Sequence, residues 1–128
     1  MNCSCDVDPI AFAVSSSLRA YAPEEADAAA ICPHCLRVEP ATSGAGDPDF
    51  SRVSVSFPSG DAGIALALAI GLCDSLATNR TKLEGALEAV ERHGADPLLA
   101  IDRVLAEPSV EPAVDLERRR HQLEQLLY

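Results

Sequence analysis

Four of the five cysteines fall in two close pairs, Cys3 and Cys5 in CSC and Cys32 and Cys35 in CPHC, with 26 residues between the pairs. Zinc favours four soft ligands in a tetrahedron, and a CxxC turn presents two thiolates to one ion while its backbone amides stabilise the sulfur charge. CPHC has that spacing. CSC is tighter, with only Ser4 between its thiols, and the 26-residue spacer exceeds the common ribbon spacing. The expectation is a structural zinc on Cys3, Cys5, Cys32 and Cys35. A three-cysteine site, a redox pair and plain thiols are the alternatives. His34 lies between two ligands and should point away from the ion, and Cys73, inside an apolar run, reads as a small core residue.

CPHC also resembles the dithiol motif of thioredoxin-like oxidoreductases of the oxidising type. In such folds the motif opens a long helix, whose N-terminus depresses the first thiol's pKa. Here it runs into LRVEP, and a helix begun there meets Pro40 within about a turn. Thiol redox catalysis is therefore the runner-up to a non-enzymatic protein. Other catalytic constellations are weak. His93 falls at a helix C-terminus, where histidine is ordinarily structural, and His121 follows Glu117 at the spacing of a surface pair. There is no GxSxG and no glycine-rich phosphate loop.

Charge narrows the partners. Twenty acids against ten bases leave the 128-residue chain at −10, with Lys82 the only lysine. Such a surface repels nucleic acid nonspecifically. The one basic cluster, Arg118, Arg119 and Arg120 followed by His121, could anchor an acidic partner or phosphates. The reading preferred here pairs Arg120 with Glu117 and Glu124 along a helix. A protein partner is favoured over nucleic acid, and the oligomeric state is open. The N-terminus has Asp6 and Asp8 and no basic start, so a signal peptide is not expected and a reducing cytoplasm is.

The elements that must hold the cysteines follow from periodicity. Ile10, Phe12 and Val14 alternate as a strand. Ser15 to Ser17 should cap a short helix through Leu18 and Tyr21, and Pro23, Glu24 and Glu25 read as the first turn of another ending near Ile31. LRVE is a second strand, antiparallel to the first, ended by Pro40. ATSGAGDP, residues 41–48, is a loop, and the stretch after it, DFSRVSVSF, leans to a helix. The longest apolar run, from Gly60 to Asn79, predicts a buried central helix N-capped by Asp61 and C-capped by Asn79. It is too short to span a membrane, which takes roughly 18 or more apolar residues. On that helix Gly63, Ala67 and Gly71 form a small-residue stripe open to an internal neighbour or a second subunit. Thr81 and Glu84 make a capping box for the next helix, which Gly94 ends. Asp96 and Pro97 open another, Pro108 and Pro112 bracket a loop, and Asp115 caps the last.

The stretches CPHCLRVEP, AGIALALAIGLCDSLATNR, ADPLLAIDRVLAEP and ERRRHQLEQLL resemble a family of small haloarchaeal proteins of unknown function with a cysteine-paired N-terminus. That family opens with a regular CxxC, from which CSC departs. The resemblance implies a haloarchaeal cytoplasm, where high salt screens an acidic surface. The sequence thus predicts a mainly α protein. Residues 1–40 would form a small zinc-ribbon-like β unit with structural Zn2+, and residues 41–128 a bundle of four or five helices around a buried central one. The two should pack as one globule and serve as a binding or regulatory module. A thiol oxidoreductase and a transcription-associated nucleic-acid binder are the alternatives.

Overall fold

A computed structural model describes residues 5–127. Three short strands form an antiparallel sheet in sequence order: β1 (Ile10–Ala13), β2 (Ala28–Ile31) and β3 (Val38–Pro40). Four helices follow: α1 (Gly60–Leu72), α2 (Leu76–Arg92), α3 (Pro97–Leu105) and α4 (Leu116–Leu127). No helix among the described residues is long and apolar enough to cross a membrane.

Ala28–Ile31 is a strand and not the end of a helix. Alanine's helix preference is a weak prior that pairing overrides. Here β2 is the central strand, with Ile31 opposite Ile10 on one side and Val38 on the other. The β1 and LRVE segments are consequently not partners of one another; each pairs with β2. The segment before β2 cannot be a regular helix because Glu24 and Glu25 both adopt positive φ, 56° and 53°. Single three-residue turns, Arg19–Tyr21 and Pro23–Glu25, replace the two expected helices.

The run from Gly60 to Asn79 contains a helix end that the sequence does not advertise. α1 is buried without interruption from Ala62 to Ile70, as an all-apolar helix requires. It stops at Leu72, preceded by Ser59 and not Asp61 as its N-cap residue. Cys73 ends it as C-cap residue and is fully buried, in keeping with a core role. Ser75 then caps α2 through the Thr78 N–H, so the Thr81–Glu84 pair lies inside α2. Asn79 is interior too, yet it serves the end of α1: its Nδ2 donates to the Leu72 carbonyl at 3.1 Å and to Asp74 at 3.0 Å. Asp96 and Pro97 open α3 as expected, and the Asp115 carboxylate caps the N-terminal turn of α4 through the Arg118 N–H.

DFSRVSVSF forms only a three-residue turn, Phe50–Arg52, capped by Asp49. It still fills the core. Phe50 stacks between Phe12, 5.6 Å away, and Phe57, 4.9 Å away, so all three phenylalanines meet there. One buried apolar cluster includes Phe12 and Ile31 of the sheet, Leu66 and Leu68 of α1, Leu87 of α2, Ile101 of α3 and Leu123 of α4. α1 packs on α2 and on β3, α2 on α3, and α3 on α4. Arg120 of α4 holds Asp102 of α3 through two bonds, at 2.8 and 3.0 Å, and Glu124 at 2.7 Å.

Candidate metal centre

The CPHC segment is the turn between β2 and β3. The ladder continues past the last strand pair, with Cys32 N–H donating to the Arg37 carbonyl at 3.0 Å and Leu36 N–H to the Cys32 carbonyl at 2.9 Å. Closing a hairpin over so few residues puts Leu36 in the left-handed region, at φ 63°. Its side chain is 4% exposed and belongs to the core, which anchors the turn. The Cys35 N–H points at Cys32 Sγ, 3.5 Å away, the amide-to-sulfur contact that stabilises thiolate charge.

Cys5, five residues before β1, completes the group. The sulfur atoms of Cys5, Cys32 and Cys35 all lie within 4.8 Å of one another. Four sulfurs at Zn–S distances of about 2.3 Å in a tetrahedron stand about 3.8 Å apart. The three thiols are therefore within about an ångström of the spacing zinc demands, and they could hold a metal ion. Cys32 and Cys35 are buried and Cys5 is half-buried, and a tetrahedral ion would take one further ligand. Cys3, expected as that ligand, lies outside the described residues. Arg37 and Glu39 line a small cleft with Cys5 and Cys32.

His34 does not join the thiols. Its Nδ1 lies 2.8 Å from the Ser109 carbonyl, and because a carbonyl only accepts, Nδ1 carries the proton. Nε2 is 3.6 Å from Glu111 Oε2. Residues 109–113 also donate twice to the turn backbone: Glu111 N–H to the His34 carbonyl at 2.8 Å and Ala113 N–H to the Cys35 carbonyl at 2.9 Å. From its residues this segment, between α3 and α4, reads as a loop only. Its one signal is Pro112, which biases Glu111 toward extended backbone and leaves its N–H available to a neighbour.

The family model of DUF6276, a family of unknown function, matches residues 2–127. The chain belongs to that family. The DUF6276 match thus takes in the cysteine turn and the segment bonded to it. No curated protein and no solved structure matches the chain.

The remaining sequence candidates are placed as follows. Cys73 is far from titrating at neutral pH. Burial pushes its thiol up to about 12, Arg119 opposing and Asp74 reinforcing that rise. Within the arginine cluster, Arg119 Nε donates to the Cys73 carbonyl at 3.0 Å. Arg120 is engaged by Asp102 and Glu124, with Asp102 in the place expected of Glu117. Arg118 is exposed. CPHC starts no helix: left-handed Leu36 and then β3 follow it.

Proposed function

We propose that this protein is a non-enzymatic zinc-binding module. Its structural Zn2+ is held by Cys5, Cys32 and Cys35, with Cys3 as fourth ligand, in a zinc-ribbon-like unit set on the helical part of the chain. The observation that carries this reading is the approach of three sulfurs from two distant stretches to within 4.8 Å. Convergence of thiols at that spacing is what metal coordination asks for and what hydrophobic packing alone does not. A structural role is favoured over redox chemistry because both CPHC thiols are buried and lack the helix N-terminus that would activate one of them. The strands are short, with little core of their own, so a metal clip there contributes directly to folding. The acidic surface favours a protein partner over nucleic acid, in a haloarchaeal cytoplasm.

The test is metal content by mass spectrometry of the untagged protein purified in high salt. One zinc per chain is expected, lost in Cys5→Ser, Cys32→Ser and Cys35→Ser, weakened or lost in Cys3→Ser, and retained in Cys73→Ala. A metal-free protein whose Cys32 and Cys35 cycle between dithiol and disulfide would overturn this reading in favour of the oxidoreductase.

A further inference from the structure

Residues 109–113 lie across the cysteine turn as a strap, and their pattern alternates. Ser109, Glu111 and Ala113 each bond to the turn, through the His34 ring, the His34 carbonyl and the Cys35 carbonyl. Val110 is buried in the core between them. Three residues beyond the strap, α4 begins with Leu116, itself 1% exposed. Strap and turn together wall a cleft of about 370 Å³, with Pro112, Ala113 and Val114 facing Cys35 and Leu36.

Cys35 has two duties in this arrangement. Its sulfur belongs to the thiol cluster and its carbonyl receives the strap. His34 sits between two ligand positions, so holding Cys32 and Cys35 constrains the backbone that carries the His34 carbonyl and side chain. The backbone of the turn is too short to move one without the other.

We propose that metal binding and strap closure are one linked equilibrium: metal on the thiolates holds the turn that receives residues 109–113, and loss of metal releases the strap and loosens α4. This rests on the metal reading above. His34 is a positioning residue in this device, joining turn to strap through its ring, by Nδ1 to the Ser109 carbonyl and by Nε2 toward Glu111. Linkage is reciprocal. Whatever factor the metal contributes to strap closure, the closed strap contributes to metal affinity. Releasing the strap also removes one wall of the cleft, so the shape of that surface follows the state of the metal.

The experiment uses the full chain, zinc-loaded and stripped with chelator. Amide exchange at Glu111 and Ala113 is read by NMR, and zinc affinity by competition with a chromophoric chelator. Zinc removal should speed exchange at both amides at least about tenfold. His34→Ala should weaken zinc about three- to tenfold, the worth of one hydrogen bond, and His34→Asn, whose amide reaches where Nδ1 reaches, should restore it. Ala113→Pro, which deletes the N–H bonded to Cys35, should weaken zinc about tenfold or more. The cobalt-substituted forms should keep the same thiolate absorption bands throughout, because the ligands do not change. Wild-type zinc affinity in both His34→Ala and Ala113→Pro, with exchange at the strap indifferent to zinc, would overturn the linkage while leaving the metal site standing. Failure of the unsubstituted chain to bind zinc would instead overturn the metal reading itself.

Discussion

Gly71 of α1 lies so close to Val38 of β3 that a Cβ on Gly71 would stand 2.7 Å from the Val38 Cβ. Near the other end of the helix, Gly63 is pressed by the Phe50 ring and the Pro58 carbonyl. The small-residue stripe of α1 is therefore used up internally at both ends, and the sheet that carries the cysteines is seated on it. Gly71→Val should lower stability by about 1–3 kcal/mol, since the Val38 Cβ is fixed to the strand and cannot rotate away. Gly46→Ala, with nothing within 4 Å of the added carbon, should stay within about 0.5 kcal/mol. Urea titration of both variants measures the difference; equal midpoints would show that β3 is not seated on α1.

Leu36→Gly sets two effects against each other. Glycine would relieve a left-handed backbone worth about 1–2 kcal/mol, but it removes a side chain buried to 4% exposure, and truncating a buried leucine costs about 2–5 kcal/mol. Burial wins, and the variant should be less stable by about 1–3 kcal/mol. A gain in thermal midpoint would show that strain dominates the turn.

Alkaline pH should weaken the protein through Cys73. The folded thiol, at about 12, lies above its ordinary value of 9.0 because burial disfavours the thiolate. The raised value means that this group's contribution is complete below pH 9 and is lost as pH climbs from 9 toward 12, with a limiting slope of about 1.4 kcal/mol per unit. Comparing Cys73→Ala with the parent over that window isolates the group from other titrations, and the parent should lose stability more steeply. In native protein near pH 8, Cys73 should resist iodoacetamide and react only on unfolding.

How far the chain could be read from its residues varied with the kind of signal. Grouping of Cys5 with Cys32 and Cys35 followed from metal-ligand spacing, and α3 from Asp96, Pro97 and an apolar stripe. β2 was hidden because Ala28, Ala29 and Ala30 favour a helix locally, and only two flanking strands reverse that preference. The α1–α2 break was hidden because Cys73, Asp74 and Ser75 include neither glycine nor proline. One of the end carbonyls of α1, that of Leu72, is met by Asn79, one turn into the next helix, so a residue that serves the boundary lies beyond it. The strap was hard to see for a related reason: it bonds through backbone groups, the Ser109 carbonyl and the Glu111 and Ala113 N–H groups, which nearly every residue has.

The two engaged arginines should matter more than the exposed one. Arg119→Ala removes a partly buried bond to the Cys73 carbonyl across 46 positions of sequence and should cost about 1–2 kcal/mol. It should also raise the Cys73 thiol further, since Arg119 is the group that lowers it. Arg120→Ala should cost less than about 1 kcal/mol, because Asp102 and Glu124 are substantially exposed. Arg118→Ala should be silent. Thermal midpoints rank the three, and an equal loss at all three would contradict the geometry.

Salt should stabilise. Raising KCl from about 0.1 to 1 M shortens the screening length from about 10 to 3 Å, which relieves the self-repulsion of a chain at −10. The same salt weakens the Arg80–Glu84 and Arg120 pairs, each worth under about 1 kcal/mol. The net charge should outweigh them, so the thermal midpoint should climb with KCl. A falling midpoint would count against the haloarchaeal reading.

The bond from His34 to Ser109 bridges 75 positions of sequence, and that separation sets an order of events at the ribosome. At about 5–20 residues per second, the CPHC turn is made roughly 4–15 s before the strap that covers it. During that interval the His34 and Cys35 carbonyls lack the N–H partners that Glu111 and Ala113 later supply. The strap is thus the last part of the site to be translated, and it closes over a turn that already exists.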